Sequence, residues 1–125
     1  QMLKHFVFPG HFRPVKFFAD MGISLKTLPG VDVHQYYSFP SGHTTTAFAL
    51  WFGLSLLVKN IYLKFLLFFL AVGVGYSRIY LGQHFPEDVL AGAVIGGLSA
   101  MIFLNYVSSW EKGWLNKSLI SVIRK

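Results

Sequence analysis

The sequence predicts an all-α integral membrane helical bundle, for three reasons. Of its 125 residues, 54% are hydrophobic and only 13% are charged, whereas soluble domains average about 25% charged residues. The apolar residues are concentrated in three runs, each close to the roughly 20 residues that cross a hydrocarbon core. Proline, glycine and short polar stretches separate these runs. A small soluble helical domain with a very apolar core is the alternative, and three such runs in succession disfavour it.

The charge balance narrows the choice of partners. A formal net charge of +6 would suggest nucleic-acid binding in a soluble protein. Here the lysines and arginines stand at the ends of the apolar runs, where they suit lipid headgroups and fix orientation. We therefore predict the bilayer, and no nucleic acid, as a partner. The sequence contains no cysteine, so disulfide and thiol chemistry are excluded.

The first polar segment, residues 9–40, is predicted to be an active-site loop with a short helix at Val15–Met21. It holds four of the five prolines and several scattered charges. Loops of this length are uncommon in compact domains and are often functional. We treat the loop as part of a single domain that covers residues 1–125.

Three transmembrane helices are predicted at residues 41–59, 61–82 and 86–108. Ser41 suits the start of the first helix, Lys59 and Asn60 separate the first two, and Pro86 suits the first turn of the third. The third run also spaces small residues by four, a pattern that lets helices approach closely in lipid. These small residues are Gly92, Gly96 and Ala100, with Ala93 and Gly97. Residues 109–125 are predicted to be a cytoplasmic tail.

Three spans also fix which segments share a membrane face. The 9–40 loop and the 77–88 turn lie on one face, which with Lys4 holds five Lys/Arg and four acidic residues. The 59–64 turn and the tail lie on the other face and hold six Lys/Arg and one acid. The positive-inside rule places the second face in the cytoplasm. We therefore predict a bacterial inner-membrane protein with its site on the periplasmic face.

Two polar clusters meet at the first face. One is "FPSGH" at residues 39–43, and the other joins Arg78 to His84 and Asp88. Ionisable residues beside membrane spans are functional candidates. Arginine offers a planar donor fork for phosphate oxygens, a helix start such as that at Gly42 and His43 can hold an anion, and two histidines can serve as nucleophile and acid. Asp88 follows His84 by four residues and can orient its imidazole.

These residues resemble the signature motifs of the type 2 phosphatidic acid phosphatases. "PSGH" at 40–43 is similar to the second motif. Ser77-Arg78, five residues, His84, three residues and Asp88 match the third motif in full. The resemblance implies a metal-independent membrane lipid phosphatase without a cofactor. It also implies that three helices form the second half of a six-helix fold.

The resemblance also implies roles for individual residues. His84 resembles the nucleophile that forms a phosphohistidine, Asp88 its orienting partner, and His43 the acid that protonates the leaving oxygen. The remaining matched positions resemble a phosphate cradle made by Arg13, Arg78, Ser41 and Gly42.

The first family motif is matched only in part. Arg13-Pro14 is present, but eight residues separate Lys4 from Arg13, two more than the motif has. Either the loop carries a two-residue insertion and Lys4 still binds phosphate, or that role is lost or passes to Lys16. We expect the insertion and include Lys4 in the predicted phosphate site.

Several functions stay open at this stage. The first is hydrolysis of a lipid phosphate or diphosphate, such as undecaprenyl diphosphate, phosphatidylglycerol phosphate, phosphatidic acid or a lipid A phosphate. A metal-dependent hydrolase is a second possibility, because His84, Asp88 and either His43 or Glu87 could hold zinc. A catalytically altered or non-enzymatic relative is a third, and a vanadate-dependent peroxidase a fourth.

Residues outside the matched motifs are interpreted as a rim charge (Glu87), loop or interfacial histidines (His5, His11, His34) and interface anchors (Trp51, Trp110, Trp114).

Overall fold

The computed structural model describes residues 11–25 and 36–109. Over these residues the chain is helical with no strand, which confirms the all-α prediction. In chain order the elements are α1 (Pro14–Asp20), α2 (Gly42–Ala47), a π-helical segment (Phe48–Phe52), α3 (Gly53–Leu57), α4 (Ile61–Tyr80) and α5 (Pro86–Ser109).

Helix α1 lies close to the short helix predicted for the first loop. Arg13 is its extended N-cap, and Pro14 occupies the first turn, where a missing N–H is tolerated. The helix ends before Gly22, whose φ of +78° is the left-handed conformation that commonly terminates helices. The sequence placed the bounds one residue later at each end.

The first long helix, residues 42–57, runs through α2, the π-helical segment and α3. Ser41 is its N-cap residue, as predicted, but its hydroxyl accepts a bond from the Thr44 hydroxyl at 2.9 Å instead of capping a backbone N–H. Sixteen residues at about 1.5 Å each span about 24 Å. That is shorter than a hydrocarbon core of about 30 Å. The predicted span at 41–59 therefore stays a prediction.

Helices α4 and α5 are both long and apolar enough to cross a membrane. Asn60 begins α4 by accepting hydrogen bonds from the backbone N–H groups of Tyr62 at 2.9 Å and Leu63 at 3.2 Å. α4 ends two residues before its predicted bound, and α5 ends one residue after it. Two of the three predicted spans are thus supported by length and composition.

Small residues allow α5 to lie directly against the first long helix. A Cβ atom on Gly92 would come within 2.6 Å of the Ser41 carbonyl oxygen, and one on Gly96 would collide with the Thr45 carbonyl oxygen. Further along, a Cβ on Gly53 would approach that of Ala100 to 3.2 Å. The close approach predicted from the four-residue spacing is confirmed, and it fixes Ser41 beside the start of α5.

Candidate active site

The short turn between α4 and α5 carries His84 into the interior. Gly82 has a φ of +64°, so the chain reverses at a position that favours glycine. The backbone N–H groups of Gln83 and His84 then donate to the Arg78 carbonyl oxygen at 3.0 Å and 3.3 Å. The turn folds back on the end of α4, and only 2% of His84 is exposed.

His84 faces the carboxylate of Asp88 across the first turn of α5. Its Nδ1 lies 3.5 Å from Asp88 Oδ2, and both side chains are buried. The same oxygen accepts the backbone N–H of Phe85 at 2.9 Å, so Asp88 caps the helix by reaching back to the residue that precedes it. The distance to His84 is long for a hydrogen bond.

Ser38 completes this pair, and the sequence motifs did not identify it. Its hydroxyl donates to Asp88 Oδ2, and its Oγ lies 3.4 Å from His84 Nδ1. Only 1% of Ser38 is exposed. The one sequence signal is a small polar residue set among aromatic residues, directly before "FPSGH".

The second motif meets the third through the backbone. The N–H of Ser41 donates to the Asp88 carbonyl oxygen at 3.0 Å, which joins the start of the first long helix to the start of α5. Ser41 is buried, whereas Gly42 and His43 in the first turn are exposed. Backbone N–H groups in such a turn suit an anion. That His43 reaches the same phosphoryl group as His84 stays a prediction.

Arg13 and Arg78, the two arginines of the predicted phosphate cradle, lie on different elements, at the start of α1 and in the last turn of α4. Arg13 Nε donates to the Tyr36 carbonyl oxygen at 3.3 Å. Partial burial lowers the pKa of Arg13, and the nearby Asp88 carboxylate offsets this effect only in part. Arginine nevertheless stays protonated in proteins. Arg78 donates to the Ser77 hydroxyl and to Gln83 Oε1, both at 3.1 Å. The two guanidinium groups are thus held in place by neutral acceptors.

The structure describes only some of the other residues named from the sequence. Lys4, His5 and His34 lie outside the described residues, so the prediction for Lys4 stays open. Glu87 is exposed, as expected of a rim charge, and Lys16 pairs with Asp20 at 2.9 Å. The carbonyl oxygen of His11 accepts the Ser38 N–H at 3.1 Å. Among residues 11–25 and 36–109, no three His, Cys, Asp or Glu side chains are grouped to hold a metal ion.

An apolar cavity of about 500 Å³ adjoins His84. It lies between α1 with Leu25 and the turn that joins α4 to α5. α1 is fixed here by an edge-to-face contact of Phe17 with Phe85, whose ring centroids are 5.7 Å apart. The lining includes Val15, Phe18, Leu25, Ile79, Tyr80 and Phe85. His84, the residue predicted to react, is therefore among the residues that line an apolar space.

The chain is similar in sequence to several bacterial lipid phosphatases. It is 37% identical over 67 residues to the lipid A 4'-phosphatase of Bacteroides thetaiotaomicron, which covers 54% of this chain and 30% of that protein. It is 35% identical over 69 residues to the undecaprenyl-diphosphatase BcrC of Bacillus subtilis, or 55% of this chain and 35% of that protein. The chain thus spans about a third of the length of these relatives.

The fold is similar to a solved structure and matches a family model. The crystal structure of Aquifex aeolicus LpxE superposes with a TM-score of 0.64 at 36% identity, covering 84% of this chain and 58% of LpxE. The family model described as the PAP2 superfamily matches residues 1–112. The matched range covers the positions of all three motifs and the helices that carry the second and third. By this match over most of its length, the chain belongs to the PAP2 superfamily.

Proposed function

We propose that this protein is an integral membrane lipid phosphatase that hydrolyses a phosphomonoester or diphosphate of a lipid through a phosphohistidine. The observation that carries the proposal is the buried Asp88–His84 pair, whose Nδ1 is held 3.5 Å from a carboxylate. An imidazole held through Nδ1 presents Nε2 as a nucleophile. The Ser41 N–H donates to the Asp88 carbonyl oxygen, and Arg13 interacts with the Asp88 carboxylate. We assign these groups and Arg78 to a phosphate cradle, because such donors stabilise charge on a transferring phosphoryl group.

In the first step, Nε2 of His84 attacks phosphorus, the Nε2–P bond forms and the bond to the lipid oxygen breaks. His43 donates a proton to that leaving oxygen. Asp88 holds the Nδ1 proton and stabilises the positive charge that develops on the ring. Arg13 and Arg78 neutralise the phosphoryl oxygens.

In the second step, water attacks the phosphohistidine. His43, now neutral, takes a proton from the water as the new O–P bond forms and the Nε2–P bond breaks. Inorganic phosphate leaves, and both histidines return to their starting states. For a lipid diphosphate the same two steps release one phosphate and leave the lipid monophosphate. No step requires a metal ion.

A lipid is favoured over a soluble phosphate ester by the setting of the site. Two helices suited to a bilayer lead to it, and its histidine borders an apolar cavity of about 500 Å³. We place the first carbons of the lipid chain in that cavity. The relatives named above act, by their names, on lipid A and on undecaprenyl diphosphate. Phosphatidylglycerol phosphate and phosphatidic acid have the same chemistry. The distribution of Lys and Arg supports a site on the periplasmic face of a bacterial inner membrane.

Phosphate release from a panel of purified lipid phosphates in detergent, with and without a strong chelator, tests the proposal. We expect turnover of at least one lipid, no effect of chelation, and inhibition by orthovanadate, which mimics five-coordinate phosphorus. Rapid alkali quench with a labelled substrate should trap an acid-labile phosphohistidine in the parent protein and for longer in His43→Ala. Loss of activity on chelation would instead support a metal-dependent hydrolase. Turnover without a phosphoenzyme would indicate direct attack by water.

A further inference from the structure

Ser38 lies outside the family motifs, yet its backbone and its side chain are both fixed by specific contacts. It follows Tyr37, whose φ of +59° lies in the left-handed region that non-glycine residues seldom occupy. Its N–H is bonded to the His11 carbonyl oxygen at 3.1 Å. Such strained positions persist where the surrounding contacts enforce them, and they cluster at functional sites. Here the residue that follows the strained Tyr37 places its hydroxyl beside His84 and Asp88.

The direction of the Ser38 hydrogen bond determines what the hydroxyl can offer to His84. A carboxylate only accepts, so the bond to Asp88 Oδ2 uses the single proton of the Ser38 hydroxyl. Toward His84 Nδ1, at 3.4 Å, the hydroxyl therefore presents only lone pairs. The other neighbour of Nδ1, Asp88 Oδ2, is also an acceptor. Two acceptors around one ring nitrogen favour the proton on that nitrogen.

We propose that Ser38 is a positioning residue that holds His84 in the Nδ1–H tautomer, so that Nε2 carries the lone pair that attacks phosphorus. It does so in two ways, by fixing the Asp88 carboxylate through a donated bond and by lying beside Nδ1 as a second acceptor. The inference rests on the proposed role of His84 as nucleophile. It adds a residue that acts on the reaction without touching the substrate.

The main test is Ser38→Ala, which removes the hydroxyl and leaves the loop backbone in place. Hydrogen bonds to charged groups are among the stronger ones, so we expect kcat to fall about 10- to 100-fold. KM for the lipid phosphate should be unchanged, because Ser38 contacts His84 and Asp88 instead of the substrate. A rise in KM with unchanged kcat would overturn the proposal, since it would indicate direct substrate binding.

The matched control is Ser55→Ala. Ser55 is also buried, at 6% exposure, and its hydroxyl donates at 2.6 Å to the Phe52 carbonyl oxygen. It lies in α3, away from the site. We expect a similar change in unfolding temperature in detergent for the two variants, and loss of kcat only in Ser38→Ala. Equal kcat in both would reduce Ser38 to a structural role and overturn the inference.

Two further measurements distinguish this inference from the proposed function. Nitrogen-15 NMR of labelled histidines, with His84→Gln for assignment, reports the tautomer without substrate. We expect Nδ1–H in the parent and a loss of that preference in Ser38→Ala, and identical spectra would overturn the inference. A double-mutant cycle with Asp88→Asn should be non-additive, because Ser38 acts partly through Asp88. A parent protein without lipid phosphatase activity would refute the proposed function, whereas the NMR result would still test the tautomer.

Discussion

Around His84 the buried side chains are polar, whereas along α4 and α5 the outward side chains are apolar. Among the described residues, the buried apolar side chains are small: those of Ala47, Ala71 and Ala100, together with Pro14. The buried polar ones include Ser38, Ser41, Thr44, His84 and Asp88. In contrast, large apolar side chains face outward on both long helices, such as Phe69 at 61% and Ile102 at 69% exposure.

The difference shows that two kinds of interaction hold the two regions. Soluble proteins bury large apolar side chains and expose polar ones, so a hydrophobic core of large side chains does not explain how these helices associate. In lipid, association depends on close packing of small residues and on hydrogen bonds between helices. Gly92 and Gly96 supply the close packing. The network around Asp88 supplies the hydrogen bonds.

The largest effect is expected from a comparison of two adjacent carboxylates, one buried in the polar site and one exposed. Asp88 is buried with His84, Ser38 and the Phe85 N–H, while Glu87 is exposed. Asp88→Asn keeps the shape but removes the charge that stabilises the imidazolium, so kcat should fall about 10²- to 10⁴-fold. Glu87→Gln should change kcat no more than about twofold. Steady-state turnover of both variants measures this, and equal losses would contradict the assigned roles.

The second prediction concerns the close packing of the first long helix against α5. A Cβ on Gly92 would lie 2.6 Å from the Ser41 carbonyl oxygen, so Gly92→Ala must push the first long helix away from α5. Overpacking costs about 1–3 kcal/mol, and a shift of about 1 Å at a catalytic site can reduce the rate about 10²-fold.

Gly73→Ala is the matched control, because nothing lies within 4 Å of its added Cβ. It should raise helix stability by about 0.5–1 kcal/mol and leave turnover unchanged. Unfolding temperature and phosphate release in the same detergent measure both effects. If Gly92→Ala behaved like Gly73→Ala, the close approach of these two helices would be wrong.

The apolar helices could be predicted from the sequence because their signals are local. Asn60 and Pro86 mark the starts of α4 and α5 where the sequence predicts them. The spacing of Gly92 and Gly96 likewise indicated a packing face. The length of the first helix was overestimated, because nothing in the run 41–59 marks its end at Leu57.

The polar site could be predicted only where a motif exists. The pairing of His84 with Asp88 was expected from their four-residue spacing, and the structure brings them together with His84 in the turn before α5 and Asp88 in its first turn. Ser38 is 46 residues from His84 and 50 from Asp88, and no periodicity links such distant positions. The bond from Thr44 to Ser41 was also missed, because helix propensity predicts only the backbone cap.

The third prediction extends the comparison to the cavity, where the apolar and polar regions meet. Leu25 lines the cavity and is 37% exposed, so Leu25→Trp should narrow it without burying new polar groups. If a lipid chain lies there, KM for a long-chain lipid phosphate should rise about tenfold. KM for a short-chain soluble phosphate ester should not change.

Met21→Trp is the control for this variant. Met21 is 61% exposed and is not among the lining residues, so both substrates should be unaffected. Assaying both substrates with both variants separates binding of the chain from a general disturbance of the turn. A parallel rise in KM for the two substrates in Leu25→Trp would place the lipid chain elsewhere.

The smallest expected effect is at the far end of α4, where stability should change without activity. Asn60 Oδ1 accepts the N–H groups of Tyr62 and Leu63, and the twenty residues of α4 place this cap about 30 Å from its Tyr80 end. Asn60→Ala should lower the free energy of unfolding by about 0.5–2 kcal/mol. Asn60→Asp retains an acceptor at the same position and should stay close to the parent. Turnover should be unchanged in both variants, because the hydrogen bonds that hold His84 lie at the opposite end of the helix. Circular dichroism can follow unfolding in detergent while turnover is measured in parallel. Loss of activity in Asn60→Ala at temperatures where the variant stays folded would contradict this separation.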